Sequence, residues 1–399
     1  MPGDPLRGLR PQLLALAACT GLFFGLGAPP GGWWWLYWLA FAPLLVVARN
    51  EHTRKPWQAA VYGLVGGLGI GLIGFAWIGE MLVKFVGVPE AVGAVGLFFF
   101  SLWLALPYAI WAVLLHLGPR RGALSFVWAI ATFVPLHAVW PVLFPYTPVL
   151  GFAEVPELVQ LAEIGGSPLL ETMAMSTSLL LIEAQRQPIS WGRGAAAALA
   201  AALPVVLFSG GAHRMADLER EAAGASRWRV GVIQPNVPVG DMSVEENFRR
   251  LRLPSGRAHR LGAEVIVWPE AGTYPYLLPR PIPDDDELGD VGVRRGFAGP
   301  VLFGVGTRGR NEPLSYNTFA HMDREGRIRG AYDKVRLVPI GERIPLVDPD
   351  WARSIVPWIS HLAAGEGPMV FEVERSEGAR GRQEGAAAGH SPLGAGRAR

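Results

Sequence analysis

Cysteine is almost missing: among 399 residues there is one, Cys19. Disulfides within the chain are therefore excluded, and so is a zinc site built on cysteines. Charge is scarce as well, at 18% Asp, Glu, Lys and Arg, with the signs cancelling to +2. With no basic block interleaved with aromatics, this balance argues for no nucleic-acid partner. No repeat of 20–50 residues is evident, which weighs against a solenoid or an inverted-repeat transporter. What abounds is hydrophobic residues, half of the chain, and they are concentrated in residues 1–210. The remainder has the composition of a soluble protein.

A helix needs about 20 apolar residues to cross about 30 Å of hydrocarbon. Seven runs are candidates: 11–28, 33–48, 57–79, 91–117, 122–140, 168–184 and 191–209, the second and sixth being short. Pro107 predicts a kink in the fourth. Arg7 and Arg10 before the first run resemble the start of a leader, but the further runs make it a first anchor. Cations alternate between loops. Arg7 and Arg10, then Arg49, Arg54 and Lys55, then Arg120 and Arg121, then Arg186 and Arg193 fall on one side; the other side holds Lys84 with Glu80, Glu90, Glu154, Glu157 and Glu163. The positive-inside rule then predicts a cytoplasmic N-terminus and an outward-facing remainder. Trp33, Trp34, Trp35, Tyr37 and Trp38 are expected at the outer interface, the alternatives being helix packing or a ligand cage. The Pro-rich loop at 141–167 reads as a substrate vestibule or a plain connector. Runs almost free of ionisable groups argue against a transporter.

From Trp228 the pattern changes. RVGVIQPN (229–236), EVIVWPE (264–270), PVLFGVGTR (300–308) and SYNTFAHMD (315–323) read as strands. Asp323-Arg324-Glu325-Gly326 predicts a turn into REGRIRGAYDK, hence a hairpin. Ser243–Gly262 is expected to be helical with an interruption near Pro254. Together these predict a layered α/β domain with a mixed sheet. After PMVFEVE (368–374), residues 375–399 are Gly/Ala/Arg-rich without an apolar period and are expected to be disordered, His390 included.

Chemistry concentrates in AYDKVRLVPIGERIP (331–345). It sets Lys334 after a strand-like run and Glu342 eight residues on, with Leu-Val-Pro-Ile between them. Upstream, Glu270 closes VIVWPE. Each residue alone is compatible with an ordinary surface position. Combined, a glutamate held among apolar groups has a raised pKa and serves as general base. A lysine in the same pocket stabilises an oxyanion, and loss of one such donor commonly costs about 3 kcal/mol in rate terms. Glu342 then orients the lysine or assists proton transfer.

QPNVP (234–238), VIVWPEAGTYPY (265–276), SYNT (315–318) and YDKVRLVPIGERIP (332–345), all beyond several apolar runs, resemble the apolipoprotein N-acyltransferases, a membrane-bound branch of the nitrilase superfamily. The resemblance covers nearly all of residues 1–374. It implies a multi-span helical membrane domain (1–210, about seven helices) followed by a nitrilase-like αββα domain (227–374), incomplete here. It also implies Glu270 as base, Lys334 as oxyanion donor and Glu342 as second carboxylate, with no metal or diffusible cofactor. The implied partners are a phospholipid acyl donor and a diacylglyceryl apolipoprotein acceptor, linked by a thioester intermediate. The implied place is the bacterial inner membrane, soluble part in the periplasm. One departure stands out. The family's cysteine lies in an Ile-Cys-Tyr-Glu-like strand soon after the segment matching MVFEVE, and residues 375–399 contain no cysteine. Cys19, in the first apolar run, is not expected to replace it. The expectation is a truncated or frame-shifted family member that forms no acyl-enzyme. The alternative is a non-catalytic lipid- or lipoprotein-binding membrane protein; a membrane-tethered amidase of the nitrilase type would need the same cysteine.

Overall fold

The computed structural model describes residues 8–29, 31–143, 145–186, 190–236, 243–270, 274–339, 341–343, 351 and 361–374. The tail at 375–399 and the motif positions 237–238, 271–273, 340 and 344–345 lie outside the described residues. The chain divides into two compact units, Met1–Ala225 and Ser226–Arg399.

The first unit is helical: α1 (Pro11–Gly27), α2 (Trp34–Ala48), α3 (Pro56–Gly74), α4 (Glu90–Leu117), α5 (Gly122–Val139), α6 (Ala162–Ala184) and α7 (Trp191–Ala223). Among the described residues, α3, α4, α5 and α7 are long and apolar enough to cross a membrane; α1 and α2 are shorter apolar helices. Large apolar side chains such as Phe99, Leu124, Val139 and Val206 are exposed on them. Water would penalise such a surface, and hydrocarbon accepts it. The protein is a multi-pass membrane protein.

Small residues set how closely these helices approach. Gly63, Gly67 and Gly71 fall four apart on α3 and face Ala109, Ala105 and Ser101 of α4. A methyl group on each glycine would come 2.6, 2.5 and 2.5 Å from the opposing Cα. Lipid gives helices no hydrophobic drive to associate, so this backbone contact supplies the attraction through dispersion. The flank toward α1 repeats the device at Gly21 and Gly69.

Several expectations need correcting. For Tyr37 and Trp38 helix packing, the alternative to interfacial exposure, is what the contacts show: both are buried, Phe152 packs on both rings, and the Tyr37 hydroxyl accepts from the Gly151 amide at 3.1 Å. Only Trp33 and Trp35 of that cluster are strongly exposed, stacked on one another. The 141–167 segment is partly built into the core through Val149, Phe152 and Leu158. Helix α7 continues past 209 to Ala223, because its polar end is tied by Arg214 to Glu163 through two bonds of 2.9 and 2.8 Å. The apolar interior is also not free of ionisable groups. Glu171 of α6 is buried, accepts from the Thr147 hydroxyl at 2.8 Å and lies 3.6 Å from His137 of α5. Pairing makes a buried carboxylate tolerable there.

The second unit is a six-stranded mixed sheet: β1 (Val230–Val232), β2 (Val265–Val267), β3 (Leu277–Arg280), β4 (Val301–Gly309), β5 (Tyr316–Met322) and β6 (Ile328–Asp333). β1, β2 and β4 run parallel, and β4, β5 and β6 antiparallel. The expected hairpin is present. Gly326, at φ 89, closes the β5–β6 turn in a conformation that favours glycine. One edge of β4 is held by β5 along its length. The other is shared: β2 pairs with Val301 and Leu302, β3 with Gly306 to Gly309. β3 was not foreseen, since Pro279 speaks against a strand; the proline is tolerated because β3 lies off the main path of the sheet.

Helix α8 (Val244–Arg260) starts at Ser243, whose side chain accepts from the Glu246 amide at 3.2 Å. A cap of this kind contributes about 1 kcal/mol. The expected interruption at Pro254 is absent. Phe248 and Leu251 anchor the helix in the core with Ile266, Trp268 and Phe303, and this packing overrides the proline's local cost. Ser255 fastens it further, donating to the Leu251 carbonyl at 2.7 Å and accepting from Trp268 Nε1 at 2.8 Å.

Candidate active site

Three segments deliver the candidate residues to one point. β2 ends at Val267, buried Trp268 follows, and the Pro269 carbonyl accepts from the Gly304 amide at 3.1 Å. Glu270 is therefore placed where β2 leaves the edge of β4, at the carboxyl end of parallel strands, the usual place for an α/β site. The β5–β6 hairpin supplies the next pair. Its register joins Thr318 to Asp333, and the Lys334 amide donates to the Asn317 carbonyl at 2.8 Å. Alternation along each strand then puts Asn317 and Lys334 on one face and Thr318 and Asp333 on the other.

The two faces have different jobs. On one, Asp333 accepts two bonds from Arg280, at 2.8 and 2.9 Å, and one from the Thr318 hydroxyl at 2.6 Å. That bidentate pair pins the end of β6 to β3. On the opposite face, Lys334 Nζ donates to Glu270 Oε1 at 2.8 Å and to Glu342 Oε1 at 3.0 Å. Asn317 Nδ2 bridges the same two oxygens at 2.7 and 3.0 Å. All three expected residues, Glu270, Lys334 and Glu342, thus meet around one amine. Asn317 was missed. Its signal in the sequence was an asparagine inside a strand, where that residue is disfavoured unless its side chain has a task.

Glu342 is held by its own loop. Its Oε2 accepts from the Val338 amide at 2.7 Å, and its amide donates back to the Val338 carbonyl at 2.9 Å. Burial alone would raise its pKa, but the Val338 amide, Lys334 and Asn317 outweigh it and hold the carboxyl below its usual value. Burial likewise opposes the charge on Lys334, yet hydrogen bonds to Glu270 and Glu342 raise its pKa above that of a free lysine. Both groups are fixed as ions. The apolar enclosure expected for Glu270 is not found. Its side chain is 61% exposed, against 26% for Lys334 and 18% for Glu342, because it lies beyond the strand end and not under the sheet. The cluster can hold and release a proton at Glu270 and present ammonium hydrogens to a developing anion. Among the described residues no group of His, Cys, Asp and Glu suited to a metal ion occurs. Cys19 is placed on α1, its thiol directed to the Ala15 carbonyl at 3.4 Å.

Comparison with known proteins agrees with this two-part construction. Residues 20–180 match the apolipoprotein N-acyltransferase N-terminal domain, and residues 229–377 match the carbon-nitrogen hydrolase family. An apolipoprotein N-acyltransferase of Gloeobacter violaceus is 30% identical over 360 residues, covering 85% of this chain and 65% of the relative. Those of Thermosynechococcus vestitus and a Nostoc species are 27% and 26% identical, covering 88% and 87% of this chain and 70% and 71% of theirs. The chain spans about two thirds of the length of these relatives. Both family matches and the likeness to these relatives run through both units, so the chain is similar to the apolipoprotein N-acyltransferases in its helical and its hydrolase-like part.

Proposed function

We propose that the protein serves lipoprotein maturation, moving a fatty acyl chain from a phospholipid to the α-amino group of a diacylglyceryl-cysteine at an apolipoprotein N-terminus. The observation that carries this reading is the convergence of Lys334 Nζ on Glu270 and Glu342 within 3.0 Å. In the family's first half-reaction the base, here Glu270, takes the proton of the nucleophilic cysteine thiol, the thiolate attacks the ester carbonyl, and Lys334 stabilises the developing oxyanion. The carbon–oxygen bond breaks, and the departing alkoxide takes a proton from Glu270. In the second, the amine attacks the thioester, Glu270 accepts the amine proton, and the thiolate leaves. Two of the three Lys334 donors are used by Glu270 and Glu342 among the described residues, and the third is available to the oxyanion. Glu342 and Asn317 act as positioning residues, holding the ammonium in place. The proposed setting is a bacterial inner membrane, with seven crossings, a cytoplasmic N-terminus and the hydrolase-like unit in the periplasm. The arginine-rich alternate loops support that orientation.

These 399 residues hold a single cysteine, on α1. We therefore propose that this polypeptide alone forms no thioester at the Glu270–Lys334 cluster, which favours a second reading: a membrane protein that binds lipid or lipoprotein without transferring the acyl chain. Incubating the purified chain with phospholipid labelled in its acyl chain tests both. The expected result is no covalent label and no transfer to a lipoprotein acceptor. Hydroxylamine-sensitive labelling of the 399-residue chain would overturn the inactivity. Absence of acceptor binding as well would remove the binding reading.

A further inference from the structure

At one end of the helical unit, the ends of five helices gather arginines around a single cavity. Arg49 follows α2, Arg120 and Arg121 lie between α4 and α5, Arg186 follows α6, and Arg193 belongs to the first turn of α7. They line a cavity of about 620 Å³ together with Glu51 and Glu183, five cations against two carboxylates. The acids do not balance them. Glu183 pairs with Arg186 at 2.6 Å, whereas Glu51 is largely exposed and lies 3.4 Å from His52. Positive charge is also held out of water here. Arg49 Nε and Arg193 Nη1 are buried without a hydrogen-bond partner among the described residues. Burial and, after it, the neighbouring Arg186 push the Arg49 guanidinium down to about 10. Arg186 itself is oriented by the Arg120 carbonyl at 3.2 Å, and Arg49 by the Ser125 carbonyl at 2.9 Å.

A second cavity, of about 440 Å³, shares Arg49, Gly122, Glu183 and Arg186 with the first. Apart from Ser125, its remaining wall is apolar, with Phe126 and Val127 of α5 facing Leu179, Leu180 and Ile182 of α6. The two join into one groove between α5 and α6, charged at the membrane surface and apolar where it enters the helices. We propose that this groove binds an anionic phospholipid, its phosphate among the arginines and one acyl chain along α5 and α6. Guanidinium forks suit phosphate oxygens, and the apolar wall adds what a free phosphate cannot use. The groove is lined entirely by residues of the helical unit.

The test uses the full chain in nanodiscs of zwitterionic phosphatidylcholine doped with phosphatidylglycerol, followed by mild extraction and native mass spectrometry. Phosphatidylglycerol is expected to be retained over phosphatidylcholine. In R121Q/R193Q its apparent affinity should fall roughly 30-fold, about 2 kcal/mol for two cations near an anionic lipid. The control R54Q/K55Q removes two charges from the neighbouring α2–α3 loop without touching the cavity and should lose far less. Melting without phosphatidylglycerol reports whether R121Q/R193Q still folds; the stabilisation that the lipid adds should vanish in that variant alone. Equal losses in the two double variants would reduce the groove to general surface charge and overturn the proposal. So would equal retention of phosphatidylcholine, or full displacement of the lipid by glycerophosphoglycerol, which carries the headgroup without chains.

Discussion

Lys334 binds two carboxylates at nearly equal distance, 2.8 Å to Glu270 and 3.0 Å to Glu342, and these two bonds should nevertheless differ in energy. Distance alone ranks Glu270 first. Burial reverses the order, since Glu270 is 61% exposed and Glu342 18%. A bond to a charged group away from water contributes about 1.5–3 kcal/mol, while an exposed ion pair contributes about 0.2–1. Double-mutant cycles built from K334M, E270Q and E342Q measure both couplings. Because the chain has two units, global unfolding is a poor readout. The better one is hydrogen exchange at the Lys334 amide, which bonds to the Asn317 carbonyl at 2.8 Å and so reports opening of the hairpin locally. The Lys334–Glu342 coupling should change the opening constant about 10- to 150-fold, and the Lys334–Glu270 coupling less than about 6-fold. Equal couplings, or a larger one for Glu270, would refute the claim that burial sets the hierarchy. Lys334 would then be held chiefly by Glu270 and not by Glu342.

The pH dependence of the hydrolase-like unit should have two limbs. The lowered pKa of Glu342 contributes stability that is present above the unfolded value near ~4.3 and lost as pH falls through the folded one. The raised pKa of Lys334 contributes stability that is complete below ~10.4 and lost as pH rises through the folded value. E342Q should flatten the acid limb of a melting-temperature profile and K334M the alkaline one; an acid limb unchanged in E342Q would contradict this. In the helical unit, G67V should destabilise by at least about 1–3 kcal/mol through overpacking, because a Cβ there meets Ala105 Cα at 2.5 Å. G192A, where nothing lies within 4 Å, should be neutral or slightly stabilising. Similar melting of the two variants would show that the glycine contact does not hold α3 to α4. A periplasm-active reporter fused after Gly224 should be active and one fused after Arg121 silent; the opposite result would invert the proposed topology.

The sequence made most of the site legible because its carboxylates and lysine sit in dense motifs at segment ends, where a functional side chain has few structural excuses. Asn317 escaped because it is the second residue of β5, and only the hairpin register brings it beside Lys334. The apolar runs announced the helices by length. They could not announce facing, so the sequence leaves Tyr37 and Trp38 open between interface and helix packing, and the structure packs both rings against Phe152. Nor could they show the pairing of Glu171 with Thr147, which depends on a loop folding back onto α6. The mixed sheet followed from strand patterns and the hairpin turn. β3 did not, because a short segment with a proline gains its pairing only from β4 already in place.

β2 and β3 dock on the same edge of β4 without touching each other's register, so β4 works as a common rail with two independent couplings. Each ladder is fixed by its own residues of β4, Val301 and Leu302 for β2 and Gly306 to Gly309 for β3. Glu270 stands at the start of the stretch between β2 and β3. The alignment of the sheet is thus set by two ladders on β4 and not by the connection that begins at Glu270.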